Sequence, residues 1–230
     1  MEQSFSYFCP SHKYHNFCNM KLSTGKKAAL LVALVLIIDQ AVKIWIKTHM
    51  TLGQDIRVFD WFIIHFTENP GMAFGMEFGG IFGKMVLSSF RIFAIGAIVW
   101  YIVHLIRNKA HLGLVLSVSL ILAGAVGNIL DSALYGLMFK QGLVFNSQLN
   151  YWMPYAGLAE FGHPGYAGFL KGCVVDMLYF PLVDTHFPSW FPVWGGEPFV
   201  FFRPVFNIAD SAITVGVFII LIFQKRFFSK

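Results

Sequence analysis

Charged residues are scarce in this sequence of 230 amino acids. They make up 13% of it, whereas an ordinary soluble domain carries roughly a quarter. Hydrophobic residues account for 57% of the chain. This balance excludes an ordinary soluble domain and predicts a small bundle of membrane helices with a cap outside the membrane.

Cysteine is also rare, and the spacing of the three cysteines excludes a disulfide framework; they are Cys9, Cys18 and Cys173. An evenly spaced set near the start could bind a metal, although it matches no common zinc pattern; it consists of Cys9, His12, His15 and Cys18. Alternatively, translation starts at Met20, and residues 1–19 are a disordered or untranslated extension.

The net charge of +5 does not indicate a nucleic-acid-binding protein, because the basic residues flank apolar runs instead of forming one patch. They are Lys21, Lys26, Lys27, Arg107, Lys109, Lys225, Arg226 and Lys230. Basic residues in short loops mark the cytoplasmic side of membrane helices. Both termini are therefore predicted to be cytoplasmic, and the loops 47–84 and 131–203 are predicted to be extracytoplasmic.

Apolar runs predict four transmembrane helices, at about 28–46, 85–106, 112–130 and 204–223. The first run follows a basic stretch, as a signal peptide would, but no small-residue cleavage site follows it. We therefore predict a retained helix and an α-helical membrane fold with four spans. We expect a single membrane domain over residues 28–223, preceded by a cytoplasmic segment 1–27 and followed by a cytoplasmic basic tail 224–230.

The loop 47–84 contains β-forming residues between 58 and 66, followed by Asn-Pro-Gly and a glycine-rich stretch. This pattern predicts a strand or hairpin at the membrane surface. The loop 131–203 is rich in aromatic residues, proline and glycine, which is typical of a segment lying on the headgroup region. Together the loops predict a small β-rich cap and an outer surface segment.

Polar groups inside or beside the apolar runs are the candidates for function, because an ionisable residue at the centre of a span costs roughly 2.5–3.5 kcal/mol on insertion scales. Asp39 and Lys43 share a helix face and could simply partner each other. The others map to the outer ends of the runs or to the apolar run 174–178, and they are Asn128, Asp131, Asp176, Asn207 and Asp210. Gly124 and Gly127 allow close helix approach beside them.

Five short segments occur in a specific order along these elements. They are Asp39–Lys43 (DQAVK), Glu68–Phe74 (ENPGMAF), Gly127–Asp131 (GNILD), Val174–Asp176 (VVD) and Phe206–Ser211 (FNIADS). In these segments, and over most of the chain from Lys21 to Phe223, the sequence resembles the lipoprotein signal peptidases (signal peptidase II). These are bacterial intramembrane aspartyl peptidases.

The resemblance implies that Asp176 and Asp210 are the catalytic pair. Asp131 is also a candidate for the catalytic pair, because it lies in a regular helical motif. Its counterpart in the family, however, is a supporting residue. The positions that match residues bracing the site or contacting substrate are Asp39, Lys43, Asn69, Asn128, Asp131 and Asn207. No metal and no organic cofactor is implied.

The implied substrate is a prolipoprotein whose lipobox cysteine carries a diacylglyceryl group, and cleavage falls just before that cysteine. The implied location is the bacterial cytoplasmic (inner) membrane, with the active site at its extracytoplasmic surface. We expect this substrate and membrane phospholipid as partners, no nucleic acid, and a monomeric protein.

Two features depart from the family. Ser132 stands where the family often has arginine, so Arg203 or Lys171 would have to supply that charge, or it is dispensable. About 45 residues separate Asp131 from Asp176, more than the short link of the family. The insertion, roughly 137–170, is expected either to form an extra outer element over the site or to be solvated and without function.

Two other classes of function stay open at this point. Intramembrane acids also mark the ion pathways of small transporters and proton channels, and a non-catalytic assembly factor could carry structural acids. A proton relay needs polar groups at all depths of the membrane, whereas the second and fourth runs look apolar through their inner halves.

Overall fold

The computed structural model describes residues 22–71, 80–181, 183–186, 188–190, 192, 196–201 and 204–229. The candidate metal-binding set between residues 9 and 18 lies outside these ranges. So do residues 72–74 of the second family segment and Arg203, one of the two cations considered as a substitute at Ser132.

Within these described ranges, three helices are long and apolar enough to cross a membrane. They are α1 (Thr24–His49), α2 (Gly80–Arg107) and α3 (Leu112–Leu130), and they confirm the first three predicted runs. A π-helical turn (Asp131–Tyr135) and the short α4 (Gly136–Met138) extend α3. The fourth run contains α5 (Ile208–Ile222), which is shorter than the others, and α6 (Gln224–Phe228) follows it.

Large apolar side chains are exposed along α1 and α2. Ile37 is 67% exposed, Phe93 76% and Trp100 67%. Apolar surface of this extent would be a liability in water and is what lipid contact requires. The outer faces of these helices are therefore suited to the bilayer.

Helix α3 is the centre of the bundle and packs against α1, α2 and α5. As predicted, glycines permit this approach: a Cβ at Gly124 would overlap the carbonyl oxygen of Ala209 on α5. A Cβ at Gly127 would lie 2.9 Å from an Asp39 carboxylate oxygen and 3.0 Å from the Ala209 Cβ. The backbones of α3 and α5 can touch only because these side chains are missing.

The extramembrane part is built on a four-stranded antiparallel sheet with the order β1-β2-β5-β8. Its strands are β1 (Asp55–Phe59), β2 (Phe62–Asn69), β5 (Val174–Tyr179) and β8 (Val205–Phe206). The β1–β2 pair confirms the predicted hairpin. Strand β5 lies between two neighbours and is buried from Val174 to Met177, which explains why its residues other than Asp176 are apolar or aromatic.

Two further hairpins flank this sheet. One pairs β3 (Val144–Asn146) with β4 (Tyr151–Met153), and the other pairs β6 (Val183–His186) with β7 (Pro198–Phe201). The first hairpin belongs to residues 137–170. Phe139 and Ala159 of that segment are buried in the same core as Ile46 and Phe66, so the segment is packed against the rest of the protein.

Candidate active site

Lys43 on α1 is completely buried and is the hub of a polar cluster. Its ammonium nitrogen lies 2.9 Å from Asp39 Oδ2 and 2.8 Å from Asp131 Oδ2. It also donates a hydrogen bond of 3.1 Å to Asn128 Oδ1. These acceptors can satisfy all three ammonium hydrogens, which is the condition for burying a lysine charge. The cluster joins α1 to the C-terminal end of α3.

The two carboxylates extend the cluster to α5 and the sheet. Asp39 Oδ1 accepts a hydrogen bond of 2.9 Å from the backbone N–H of Ala209, in the first turn of α5, where a negative charge is favourable. Asp131 Oδ2 accepts one of 3.3 Å from the N–H of Val175. Asp131 therefore holds β5 at the residue next to Asp176.

Asn207 begins α5 and holds both of the predicted catalytic acids. Its side-chain oxygen accepts from the N–H of Asp210 at 2.9 Å, and Asp210 Oδ2 accepts from the N–H of Asn207 at 3.3 Å, a reciprocal capping box. Its side-chain Nδ2 donates to Asp176 Oδ1 at 2.6 Å. The start of a helix thus sets the position of Asp210 relative to Asp176.

Asn128 connects the lysine cluster to this pair. Its Nδ2 donates to Asp210 Oδ1 at 2.7 Å, while its oxygen accepts from Lys43 and, at 3.1 Å, from Asn207 Nδ2. Asn69, at the end of β2, adds a side-chain hydrogen bond to Asp176. All of the site residues predicted from the sequence therefore meet in one polar network: Asp39, Lys43, Asn69, Asn128, Asp131, Asp176, Asn207 and Asp210.

The structure adds two residues that the sequence did not mark as parts of the site. Gln40 donates to Asp131 Oδ1 at 2.7 Å and accepts a bond of 3.2 Å from the Tyr135 hydroxyl. Its position next to Asp39 inside an apolar run was the available signal. On α2, the charge of Arg91 interacts with those of Asp210, Asp176 and Asp131.

The cation proposed to compensate for Ser132 is not Lys171. Lys171 is exposed and lines a separate cavity of about 230 Å³ with Lys84 and Trp152. Asp131 pairs instead with Lys43, and Ser132 donates a hydrogen bond of 3.2 Å to the Asn128 carbonyl. A charge from α1 therefore neutralises Asp131, the residue next to Ser132.

Asp176 and Asp210 differ in their surroundings. Burial, followed by the charge of Asp210, raises the pKa of Asp176 to about 7, against the opposing hydrogen bonds from Asn207 and Asn69. Asp210 is half-buried and accepts two hydrogen bonds. A protonated acid beside an ionised one can polarise a carbonyl and deprotonate water in the same step.

A cavity of about 640 Å³ opens at Asp176. Its wall includes Asn69 and Pro70 from the end of β2 and Val205 from β8. In the part of the chain that the structure describes, no group of three or more histidine, cysteine, aspartate or glutamate side chains could hold a metal ion. The site as described is a carboxyl pair whose Asp176 borders a partly apolar cavity.

Known proteins are similar to this chain in sequence and in fold. The sequence matches the family of signal peptidase (SPase) II over residues 31–226. It is 47% identical to a lipoprotein signal peptidase of Porphyromonas gingivalis over 207 residues, which cover 90% of this chain and 86% of that protein. It is 36% identical to a lipoprotein signal peptidase of Amoebophilus asiaticus over 200 residues, covering 85% and 76%.

A solved structure is also similar. It is a bacterial membrane enzyme determined by the in meso method at 2.3 Å, with a TM-score of 0.53 and 23% sequence identity. The match covers 89% of this chain and 92% of that one. At 23% sequence identity, this similarity supports a shared fold and nothing more.

The raised pKa of Asp176 predicts how stability depends on pH. Between about pH 4 and pH 7 the folded protein keeps a proton on Asp176 that the unfolded chain releases, so the free energy of unfolding falls as the pH rises. The Asp176→Asn variant has no proton to release at this position, so its free energy of unfolding does not fall for this reason. Its stability relative to the wild type should rise by on the order of a few kcal/mol across this range and level off above pH 7.

Thermal unfolding in detergent at a series of pH values measures this difference. Asp60→Asn is the matched control, because Asp60 is exposed and its substitution should give a difference that stays constant with pH. A constant difference for Asp176→Asn as well would contradict the raised pKa.

Proposed function

This chain belongs to the signal peptidase II family, and from that premise we propose that it removes signal peptides from prolipoproteins. Its family makes it a membrane peptidase, as its sequence motifs predicted. The proposed substrate carries diacylglyceryl on the lipobox cysteine, and the bond cut is the one just before that cysteine. The observation that carries the proposal is the meeting of Asp176 and Asp210, from a strand and a helix, through Asn128 and Asn207.

In the proposed mechanism, Asp176 and Asp210 share one proton and have different roles in catalysis. Asp176 holds the proton, which its burial favours. Asp210 accepts hydrogen bonds from Asn128 Nδ2 and from the N–H of Asn207, an arrangement suited to the member of the pair that takes a proton from water.

The reaction then follows the general acid–base pattern. Asp210 takes a proton from water as the water oxygen attacks the scissile carbonyl carbon, and Asp176 hydrogen-bonds the carbonyl oxygen. When the tetrahedral intermediate collapses, the C–N bond breaks and the leaving amine receives the proton that Asp210 had gained. The products are the signal peptide with a free carboxyl group and a lipoprotein that begins with the modified cysteine.

The remaining members of the network position this pair. Lys43, Asp39 and Asp131 fix the relative placement of α1, α3 and α5. Asn69 lies where a neutral amide can bind the backbone of an extended substrate without adding charge, since it borders both Asp176 and the cavity.

The proposed topology has four spans, with both termini in the cytoplasm and the site at the extracytoplasmic surface of the bacterial inner membrane. Residues 208–228 form α5 and α6 with one break at Phe223, and at 1.5 Å per residue they cover about 31 Å, enough for the hydrocarbon core. Lipid chains of the substrate then stay in the bilayer while its peptide enters from the side. The protein acts as a monomer with phospholipid and prolipoprotein as partners.

Transport is less well supported than hydrolysis. The polar network lies at one end of α3 and at the start of α5, and a proton or ion pathway would need such groups along the whole depth of the membrane.

The catalytic assignment predicts the effect of removing either acid. Asp176→Asn and Asp210→Asn should each lower cleavage of a purified, diacylglyceryl-modified prolipoprotein by at least about 10²–10⁴-fold, because each removes one half of the proton exchange. Asp131→Asn should reduce activity without abolishing it. The exposed Asp60 provides the control, since Asp60→Asn should cleave at the wild-type rate.

Cleavage products resolved by gel shift give the rates, and thermal unfolding shows that each variant is folded. Substantial activity in a folded Asp176→Asn or Asp210→Asn protein would overturn the assignment of the pair.

The topology predicts which side of the membrane a protease reaches. Leu149 and Tyr151, at the turn of the β3–β4 hairpin, are 65% and 59% exposed. Protease added outside intact spheroplasts should therefore cut near residue 150, and protease added outside inverted membrane vesicles, which expose the cytoplasmic face, should not. Cutting only from the cytoplasmic face would reverse the proposed orientation.

A further inference from the structure

Residues 137–170, which we call the insertion, are fastened to the strand that carries Asn69. Glu68, the neighbour of Asn69 on β2, forms a buried ion pair with Lys47 of α1. Its two carboxylate oxygens also accept hydrogen bonds from the insertion, from the Tyr155 hydroxyl at 2.9 Å and from the N–H of Leu143 at 3.0 Å. One buried carboxylate therefore binds both a helix and the insertion.

Lys47 strengthens this attachment. Its ammonium nitrogen lies 5.1 Å from the ring centre of Phe139 and 5.2 Å from those of Tyr155 and Tyr166, all within the insertion. A buried lysine among aromatic faces is held by cation–π attraction in addition to its ion pair. The insertion is consequently a fixed part of the extramembrane structure, with a defined position relative to the site.

The β3–β4 hairpin of the insertion forms one wall of the 640 Å³ cavity that opens at Asp176. Its contribution is apolar and aromatic: Leu143, Tyr151, Trp152 and Pro154. Trp152 is 8% exposed, whereas Tyr151 is 59% exposed and free to contact a ligand. The opposite wall comes from Thr67, Asn69 and Pro70 of β2 and the loop after it, and from Asp176.

We propose that the insertion builds a binding subsite for the peptide segment that follows the lipidated cysteine of the substrate. This inference rests on the proposed function. The subsite accepts apolar or aromatic side chains and discriminates against acidic ones. It makes Tyr151 a specificity-determining residue.

The position of the cavity identifies the occupant. All of its lining residues lie outside the membrane-spanning helices, so the acyl chains and the signal helix, which stay in the bilayer, do not enter it. Because it is continuous with Asp176, its occupant is joined to the bond that is cut. The part of the substrate that meets both conditions is the extramembrane chain after the cysteine.

The charges of the cavity set its preference. The described residues of its wall include no lysine or arginine. Glu68 is neutralised by Lys47, and the remaining acid is Asp176 beside Asp210. A carboxylate of the substrate would lie beside this acidic pair and be repelled by it. The cations nearest the described wall are already engaged: Lys84 donates to the Pro70 carbonyl, and the charge of Arg91 interacts with the acidic pair itself. An aromatic side chain would instead bury apolar surface against Tyr151 and Trp152.

The test uses three purified diacylglyceryl-modified prolipoproteins that differ only in the two residues after the modified cysteine: Phe-Phe, Ser-Ser or Asp-Asp. For the wild type, kcat/KM should be about tenfold higher for Phe-Phe than for Ser-Ser, and lowest for Asp-Asp. Tyr151→Ser should lower kcat/KM for Phe-Phe by about tenfold, to near the Ser-Ser value, and leave the Ser-Ser value within about twofold.

Leu149→Ser is the matched control, because Leu149 is exposed on the same hairpin but lies outside the cavity wall. It should change none of the three values. Equal wild-type rates for the three substrates, or an equal loss on Phe-Phe and Ser-Ser in Tyr151→Ser, would overturn the subsite and leave the proposed function standing. Failure of the wild type to cleave any of the three would overturn the proposed function itself.

Discussion

The arrangement of the site depends on one buried cation. The Lys43 ammonium lies within 3 Å of carboxylates from its own helix and from α3, in a place where an uncompensated charge would cost several kcal/mol. Because Asp39 also accepts the N–H of Ala209, the same cluster fixes the start of α5. Three helices are thereby held together at the end of the bundle that adjoins the sheet.

The side-chain amides of two asparagines connect the lysine cluster to the two catalytic acids. Asn128 and Asn207 separate the lysine cluster from Asp176 and Asp210, and they bind both acids without adding charge. The site can therefore keep its two acids different, one buried with a raised pKa and one hydrogen-bonded and half-buried. That difference is what a peptidase with a shared proton requires.

Sequence patterns predicted the long helices, the β1–β2 hairpin and the residues of the polar network, because hydropathy and short motifs are local. They did not predict the Lys47–Glu68 pair, whose partners lie in different elements and looked like ordinary interfacial charges. They also left the insertion undecided between a structured element and a solvated loop. Its three-residue strands are too short to show a period, and its position is set by tertiary contacts to Glu68 and Lys47.

The most direct test of the central role of Lys43 is the free energy of unfolding of Lys43→Met in detergent. Leaving Asp39 and Asp131 buried without their cation should cost about 3–5 kcal/mol, and adding Asp39→Asn and Asp131→Asn should recover part of that loss. Lys140→Met, which breaks an exposed pair with Glu160, should cost less than about 1 kcal/mol. A loss in Lys43→Met no larger than in Lys140→Met would contradict the account.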